Sequence, residues 1–371
     1  MLILLVALHA VFLTVFAANL FYVRRARRER VVPERWPRVS VLIPARNEED
    51  NLRRLLPTLS EQDYPDFEVL VYDDGSDDAT SAIVENAGAP VRGLRGEGPP
   101  PGWVGKVHAL YQATRSAESE LYLFLDADAA LRDSHSLQRL VEQFTAIDCK
   151  AGAKGGVMTG LPRLRGGGDL LTSLVPFAMM TALPLALVPR TKSRSLASLN
   201  GQCWLIRAHS YHRHEPHAAH PDEVLEDVQI GRFLKSRGMR LALRDLQPEL
   251  DVWMYGSLRE AWAGFRKNAY LLQGGTPLRF VVAQAFFWSV FILSPLVSPW
   301  FLVSLYVLKA GSDTFGRFPL RVRLLAPLSL LLGGLLPIDS AVSHWTGRVR
   351  WKGRTVGVQQ QSSAGRANRP A

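Results

Sequence analysis

At 371 residues, with 47% hydrophobic and 21% charged side chains, the chain is long enough for one large core plus accessory elements. A mean hydropathy of +0.01 is high for that charged fraction and implies apolar segments set apart from a water-soluble domain. The net charge of +10 favours an anionic partner (nucleic acid, lipid headgroups or a phosphorylated small molecule), and two cysteines, Cys149 and Cys203, exclude a disulfide framework or a CxxC zinc site and read as buried thiols.

Residues 2–23, LILLVALHAVFLTVFAANLFYV, carry no acid or base except His9 and exceed the length of about 20 residues that crosses a bilayer. Arg24, Arg25, Arg27, Arg28 and Arg30 follow at once. Charge after the span and none before it puts the arginines on the cytoplasmic side, giving 1–23 as a transmembrane anchor and 24–38 as a basic juxtamembrane linker. Phe16-Ala17-Ala18 faintly resembles a signal-peptide cleavage site, but the apolar run is too long and its flanking charge is on the wrong side. Beside a span, the arginines are expected to meet anionic headgroups and not nucleic acid.

From residue 39 strands and helices alternate. VSVLIP (39–44) reads as a strand ended by Pro44, and Asn47 is expected to cap a helix whose Leu52, Leu55, Leu56 and Leu59 form one buried face. FEVLVY (67–72) is the second strand and runs into Asp73-Asp74-Gly75-Ser76-Asp77-Asp78. A third strand is expected near 91–95, then loop and helix over 102–117. LYLFLDAD (121–128) is a buried strand stopped by Asp126 and Asp128, which point the same way and repel unless a cation lies between them. Strands separated by helices predict an α/β fold with a mainly parallel sheet, in which Asp73/Asp74 and Asp126/Asp128 end neighbouring strands and face one crevice.

Past residue 150 the pattern loosens. Gly160, Pro162 and Gly166–Gly168 mark a flexible loop, while 170–189, apolar but interrupted by Pro176, Pro184 and Pro189, reads as an interfacial segment. Residues 222–238 read as a helix stopped by Gly238 and opened by a third acidic pair, Glu226-Asp227. Residues 280–308 exceed one simple span and hold Pro295 and Pro299, so they form one tilted helix or a tight hairpin. A second apolar stretch covers 324–343, with basic residues on both sides that leave its topology open; 280–343 are the C-terminal membrane segments, and 344–371 a basic tail, disordered from 357.

The combination of VSVLIPARNEEDNL (39–52), VLVYDDGSDDAT (69–80), LFLDADAAL (123–131) and VLEDVQIGRFLKSRG (224–238) resembles the inverting family 2 glycosyltransferases, membrane-attached enzymes that use nucleotide-activated sugars. GWVGK (102–106) and WKGR (351–354) narrow the resemblance to the branch that glycosylates carotenoid-type, other polyisoprenoid and hopanoid-associated lipids. The resemblance covers about residues 39–270 and implies a Rossmann-like glycosyltransferase A fold there, as a cytoplasmic domain between N- and C-terminal transmembrane helices.

It further implies that Pro44, Ala45, Asn47, Glu48, Asp73 and Asp74 hold the nucleotide, a carboxylate accepting the uracil imide N–H. Asp126 and Asp128 match the family's metal motif for Mg²⁺ or Mn²⁺, with Asp128 the direct ligand, and Asp227 matches its catalytic base, tuned by Glu226. Lys106 is a candidate phosphate contact, and Gln202 and Trp204 fall on the acceptor side. The family's late Gln/Arg-x-x-Arg-Trp motif is absent; 262–268 takes its place, with Arg266 or Lys267 expected to supply charge to the diphosphate, and processive polymer synthesis is disfavoured. Five histidines (His209, His212, His214, His217 and His220) surround two helix-breaking prolines and are read as a mobile loop over the acceptor in preference to a zinc site.

The expected reaction transfers a hexose, glucose from UDP-glucose, to a hydroxyl or carboxyl of a membrane lipid such as a carotenoid, catalysed by a multi-pass cell-membrane protein. The alternatives are transfer to a polyprenyl phosphate or polysaccharide and, outside the enzymes, a membrane scaffold with a nucleotide-binding domain.

Overall fold

A computed structural model of the chain describes residues 1–197, 199–348, 350–351 and 354–355. The expected disorder over 357–371 lies outside the described residues, as do Lys352 and Gly353 of the WKGR stretch.

The strands in chain order are β1 (Val39–Ala45), β2 (Phe67–Asp73), β3 (Val91–Arg95), β4 (Leu121–Leu125), β5 (Ala129–Leu131), β6 (Gly156–Leu161), β7 (Arg163–Gly166), β8 (Cys203–Arg207), β9 (Arg240–Asp245) and β10 (Leu250–Tyr255). Seven form the central sheet in the order β3-β2-β1-β4-β8-β6-β9, and β5, β10 and β7 form a smaller one. Within the large sheet β8 runs antiparallel to β4 and β6, and the remaining pairings are parallel. β1 and β4 read as unbroken apolar runs because both faces of a parallel sheet are covered by helices.

Four helices lie among the first six strands: α2 (Glu49–Ser60), α3 (Thr80–Glu85), α4 (Gly105–Ser116) and, after β5, α5 (Ser136–Asp148); α1 (Leu2–Ala26) precedes them all. The leucines of α2 are fully buried in the core, as their spacing requires. Asn47 does not cap α2. The N-cap is Glu48, and Asn47, in the left-handed region at φ 51°, ties β1 to the turn after β2 through Ser76 Oγ–Asn47 N (2.9 Å) and Asp77 N–Asn47 Oδ1 (2.9 Å). A second correction concerns strand order: β1 lies between β2 and β4, so the two acidic strand ends are not neighbours. They still share one edge, because all three strands are parallel.

After β7 come α6 (Asp169–Thr172) and α7 (Leu174–Ala182); α8 (Ala208–His214) and α9 (Glu226–Ser236) lie between β8 and β9; and α10 (Leu258–Arg266) and α11 (Ala269–Leu272) follow β10. The C-terminal region holds α12 (Pro277–Phe287), a π-helical stretch over Trp288–Leu293, α13 (Ser294–Val297), α14 (Pro299–Phe315), α15 (Leu320–Leu324) and α16 (Ala326–Trp345). Three helices among the described residues are long and apolar enough to cross a membrane: Leu2–Ala26, Pro277–Val297 and Ala326–Trp345. The 280–308 stretch is therefore two helices and not one, broken at Ser298, whose extended φ of −159° precedes the helix-starting Pro299.

The first span is fastened to the rest by a polar clamp. Asn19, 1% exposed, donates from Nδ2 to the carbonyls of Met180 (2.9 Å) and Leu183 (2.7 Å) and accepts from Leu185 N (2.9 Å). It thereby satisfies the C-terminal end of α7, where Pro184 stops the helix. Leucine at position 19 keeps the hydropathy but leaves three buried backbone groups unpaired. Asn19→Leu is expected to lower stability in detergent by about 3 kcal/mol, read as a drop in the thermal unfolding midpoint.

The basic linker also makes ion pairs with the sheet domain. Arg27 reaches Asp245 (3.8 Å), and Arg30 reaches Glu249 (3.0 Å) and Glu142 (3.9 Å), so these arginines tie the first helix to the sheet domain. Arg24, Arg25 and Arg28 remain on the outer side of the segment. Of the two thiols, Cys203 is buried as expected and Cys149 is exposed.

Candidate active site

The parallel strands end at one edge, and the acids gather there. At the end of β2, Asp73 is committed to shaping its own turn: Oδ1 accepts from Ser76 N (2.9 Å) and Ser76 Oγ (2.5 Å), and Oδ2 accepts from Ser81 Oγ. Asp74 lies beside it, 3% exposed, with its N–H on Ala45 O (2.9 Å) and the Arg46 guanidinium 3.9 Å away. Burial raises the Asp74 pKa to about 6, against the pull of Arg46. Pro44, Ala45 and Glu48 border this pair, since Pro44 is in register with Tyr72 and Ala45 with Asp73, and Glu48 N donates to Thr80 Oγ1 (2.9 Å).

The second group centres on Lys106, in the first turn of α4. Its Nζ lies 2.7 and 2.9 Å from the two oxygens of Asp126 and 3.3 Å from Glu226. Burial pushes the Lys106 pKa down, but Asp126, Glu226 and Asp227 outweigh it, and the net shift is upward; the ammonium stays charged. Asp227 is held from two sides, accepting from Gly201 N (3.1 Å) and Val228 N (2.7 Å). Both Glu226 and Asp227 are raised, first by burial, with Lys106 opposing. They open α9, where the positive end of the helix favours carboxylates.

The cation that Asp126 was expected to need is thus, in part, Lys106. Among the described residues no three His, Cys, Asp or Glu side chains converge into a metal cage. Asp126 and Asp128 nevertheless fit a divalent cation: two hard carboxylates on the turn between β4 and β5 are what Mg²⁺ or Mn²⁺ takes when substrate phosphate oxygens complete its shell. Asp128 is fixed through its backbone, its carbonyl accepting Trp253 N (2.8 Å), and its charge contributes to raising the pKa of nearby Tyr255, itself raised mainly by burial.

Sequence reasoning marked the Gly201-Gln202 pair on the acceptor side but overlooked Asn200 and what Gly201 touches. A side chain at Gly201 would start 3.2 Å from Asp227 Cβ and 3.4 Å from Lys106 Nζ, so a glycine lets this backbone reach Asp227. Asn200 holds Gln202 through Nδ2–Oε1 (3.2 Å) and Oδ1–N (3.2 Å). The Gly-Gln pair was the visible signal; its partners were not.

Trp204 is not on an open acceptor face. It is 2% exposed and stacked on Phe124 (4.0 Å between centroids, 8° between planes), because β8 lies beside β4 and pairs these positions. The histidines likewise form no mobile loop. His209, His212 and His214 lie on α8, and His217 is 1% exposed, hydrogen-bonded to Tyr211 Oη (2.7 Å) and kept neutral by burial, with a pKa near 3. Trp103 packs on Tyr111 and His108. Arg266 forms its ion pair with Asp339 of α16 (3.7 Å), which also accepts from Trp262 Nε1 (2.7 Å), and Lys267 follows at the end of α10. The structure thus brings Lys106, Asp126, Glu226, Asp227 and Gln202 together and turns Arg266 toward α16.

Residues 40–157 match the model of glycosyl transferase family 2. The chain is a glycosyltransferase with a family 2 domain over these residues. A 4,4'-diaponeurosporenoate glycosyltransferase of Staphylococcus aureus is 24% identical over 348 residues, spanning 87% of this chain and 89% of the relative. The enzyme of the same name from Staphylococcus haemolyticus is 37% identical over 106 residues, a stretch that spans only 28% of that relative. Among solved structures, mannosyltransferase PcManGT from Pyrobaculum calidifontis, in complex with GDP-Man and Mn²⁺, superimposes with a TM-score of 0.52 at 20% identity over 91% of this chain and 98% of its own. That likeness, with the mostly parallel sheet, identifies a glycosyltransferase A-type fold; the enzyme class excludes the scaffold alternative.

Proposed function

We propose that this glycosyltransferase moves a hexose, glucose, from a UDP-linked donor to a hydroxyl or carboxyl of a membrane isoprenoid lipid of the carotenoid kind, with inversion at the anomeric carbon. The carrying observation is the meeting of Lys106, Asp126, Glu226 and Asp227 at one sheet edge, in a chain that aligns along 89% of a relative named for a carotenoid acid. In this reading 39–270 is a cytoplasmic catalytic domain of a multi-pass membrane protein, anchored by residues 1–23 and by 280–343.

The roles follow from position. Asp73 shapes the turn, Pro44–Glu48 line it, and Asp74 accepts the uracil imide N–H. Lys106 approaches the diphosphate, and Asp128 and Asp126 would hold Mg²⁺ or Mn²⁺, which when bound neutralises charge on the diphosphate leaving group. Asp227, steered by the Gly201 and Val228 amides, takes the proton of an acceptor hydroxyl as that oxygen attacks the anomeric carbon, and Glu226 keeps the surroundings negative. Gln202 borders the acceptor.

With Asp74 ionising near pH 6, uridine binding is expected to strengthen as pH rises from 5 to 7.5, with a midpoint near 6, and to flatten in Asp74→Asn. Calorimetry with uridine, which has no titrating phosphate, checks this. Purified protein with Mn²⁺, UDP-glucose and a carotenoid alcohol or acid should place label in the organic phase. No transfer from any common nucleotide sugar would contradict the reading.

A further inference from the structure

A slim apolar crevice opens beside the carboxylate cluster, on its membrane side. Its walls are Leu164 from the small sheet, Val175 and Pro176 of α7, and Phe315 and Phe318 where α14 turns into α15. It is narrow, with enclosed room for about one water, and the surrounding space of about 290 Å³ includes open solvent at its mouth. We propose that this crevice receives the apolar chain of the acceptor, a proposal that rests on the lipid-acceptor reading above and specifies where that lipid lies.

Continuity with the base is the first argument. Asn200 and Gln202 form one lip of the crevice, and the residue between them, Gly201, donates its N–H to Asp227 (3.1 Å). A molecule with its hydroxyl at Asp227 therefore has its next atoms at this lip. The second argument is chemical. The lip amides satisfy each other, Asn200 Nδ2 donating to Gln202 Oε1 (3.2 Å) and to Gly160 O (3.0 Å), while Gln247 Nε2, deeper in, donates to Phe315 O (3.0 Å). Apart from Gln247, whose Oε1 is buried without a hydrogen-bond partner, the walls beyond them are mainly hydrocarbon. A growing polysaccharide would need polar partners along its length and finds few there; a slim hydrocarbon chain needs none.

The third argument is where the walls come from. α7 packs against α1 and α14 in one apolar cluster that includes Phe16, Phe177, Met180 and Leu308, and α1 is long and apolar enough to span. The same link that supplies Phe318 also places it, with Val322, in the core beneath the sheet. The crevice thus lies between the helices that pack on α1 and the strand-end carboxylates, where a chain drawn partly out of a bilayer would pass.

A wild-type test comes first. An acceptor analogue with a photoactivatable diazirine midway along its chain is expected to label peptides covering 161–164, 175–176 or 315–318, and labelling confined to other segments would overturn the proposal. Val175→Phe, which fills the partly buried mouth, is expected to lower kcat/KM for a long-chain isoprenoid alcohol relative to a short-chain alcohol at least tenfold; an unchanged ratio would overturn it. The two readings separate cleanly. If the wild-type protein glycosylates no lipid, the acceptor reading fails and the crevice goes with it. If lipid transfer proceeds and neither labelling nor the ratio responds, only the crevice fails.

Discussion

Asp227→Asn is expected to reduce kcat for a hydroxyl acceptor by 10²- to 10⁴-fold while leaving donor binding within a factor of about three. Asparagine is nearly isosteric, and its side-chain oxygen can keep one of the two backbone donors that fix the carboxylate, Gly201 N and Val228 N. What it cannot do is take a proton. The same variant separates two nucleophiles. A lipid hydroxyl must lose its proton as it attacks, whereas a lipid carboxylate is already ionised at neutral pH and needs no base. A steady-state comparison of Asp227→Asn on an isoprenoid alcohol and on the matching acid reads this directly. Loss with the alcohol alone identifies Asp227 as a base; equal retention with both removes it from that role.

Replacing the lysine is expected to lower both stability and donor affinity. In Lys106→Met the carboxylates of Asp126, Glu226 and Asp227 lose their shared ammonium, and like charges in a largely buried cluster then face one another. Removing one partner of a buried ion pair costs about 3–5 kcal/mol, and the side-chain exposures here, 31% for Lys106 and 23% for Asp126, argue for the lower half of that range or below, about 2–3 kcal/mol. UDP affinity in the presence of Mn²⁺ should fall as well, since the site loses its contact for the diphosphate. Lys106→Arg restores the charge but not the compact tip, so it should recover most of the stability and only part of the affinity. Thermal unfolding with and without UDP checks both halves. A Lys106→Met protein as stable as the parent would mean that the cluster is compensated from elsewhere.

Much of the fold was legible because it rests on local periodicity. The apolar runs at β1, β2 and β4 and the four leucines of α2 announce a buried parallel sheet with helices over it. Strand order is a different kind of information. Nothing in 67–128 says that β1 inserts between β2 and β4, because the order follows from crossovers that are decided by packing of the whole sheet. The acids were legible for the same local reason, each pair closing a strand or opening a helix. Their partners came from far along the chain: Lys106 meets Glu226, and Gly201 meets Asp227.

The misplaced residues share a cause. Trp204 sits next to a motif and has the amphipathic character of a binding residue, yet Phe124 on the adjacent strand decides that it stacks in the core. His217 belongs to a run that reads as polar loop, but Tyr211 gives its ring nitrogen a partner, which makes burial tolerable. Arg266 stands where a diphosphate contact was expected, and Asp339 on a span helix pairs with it. In the basic linker, Arg27 and Arg30 found acids far away in the chain, at Glu142, Asp245 and Glu249. Long polar side chains take their meaning from tertiary neighbours that no window of sequence contains.

The most direct test of the account is mass spectrometry of the lipids of cells that make this chain against cells that lack it. The account predicts that one hexosylated isoprenoid lipid disappears while its unglycosylated precursor accumulates, and that, where that precursor is an alcohol, Asp227→Asn fails to restore the product. Lipid glycosides unchanged by loss of the chain, with a polysaccharide or a polyprenyl phosphate sugar missing in their place, would contradict it.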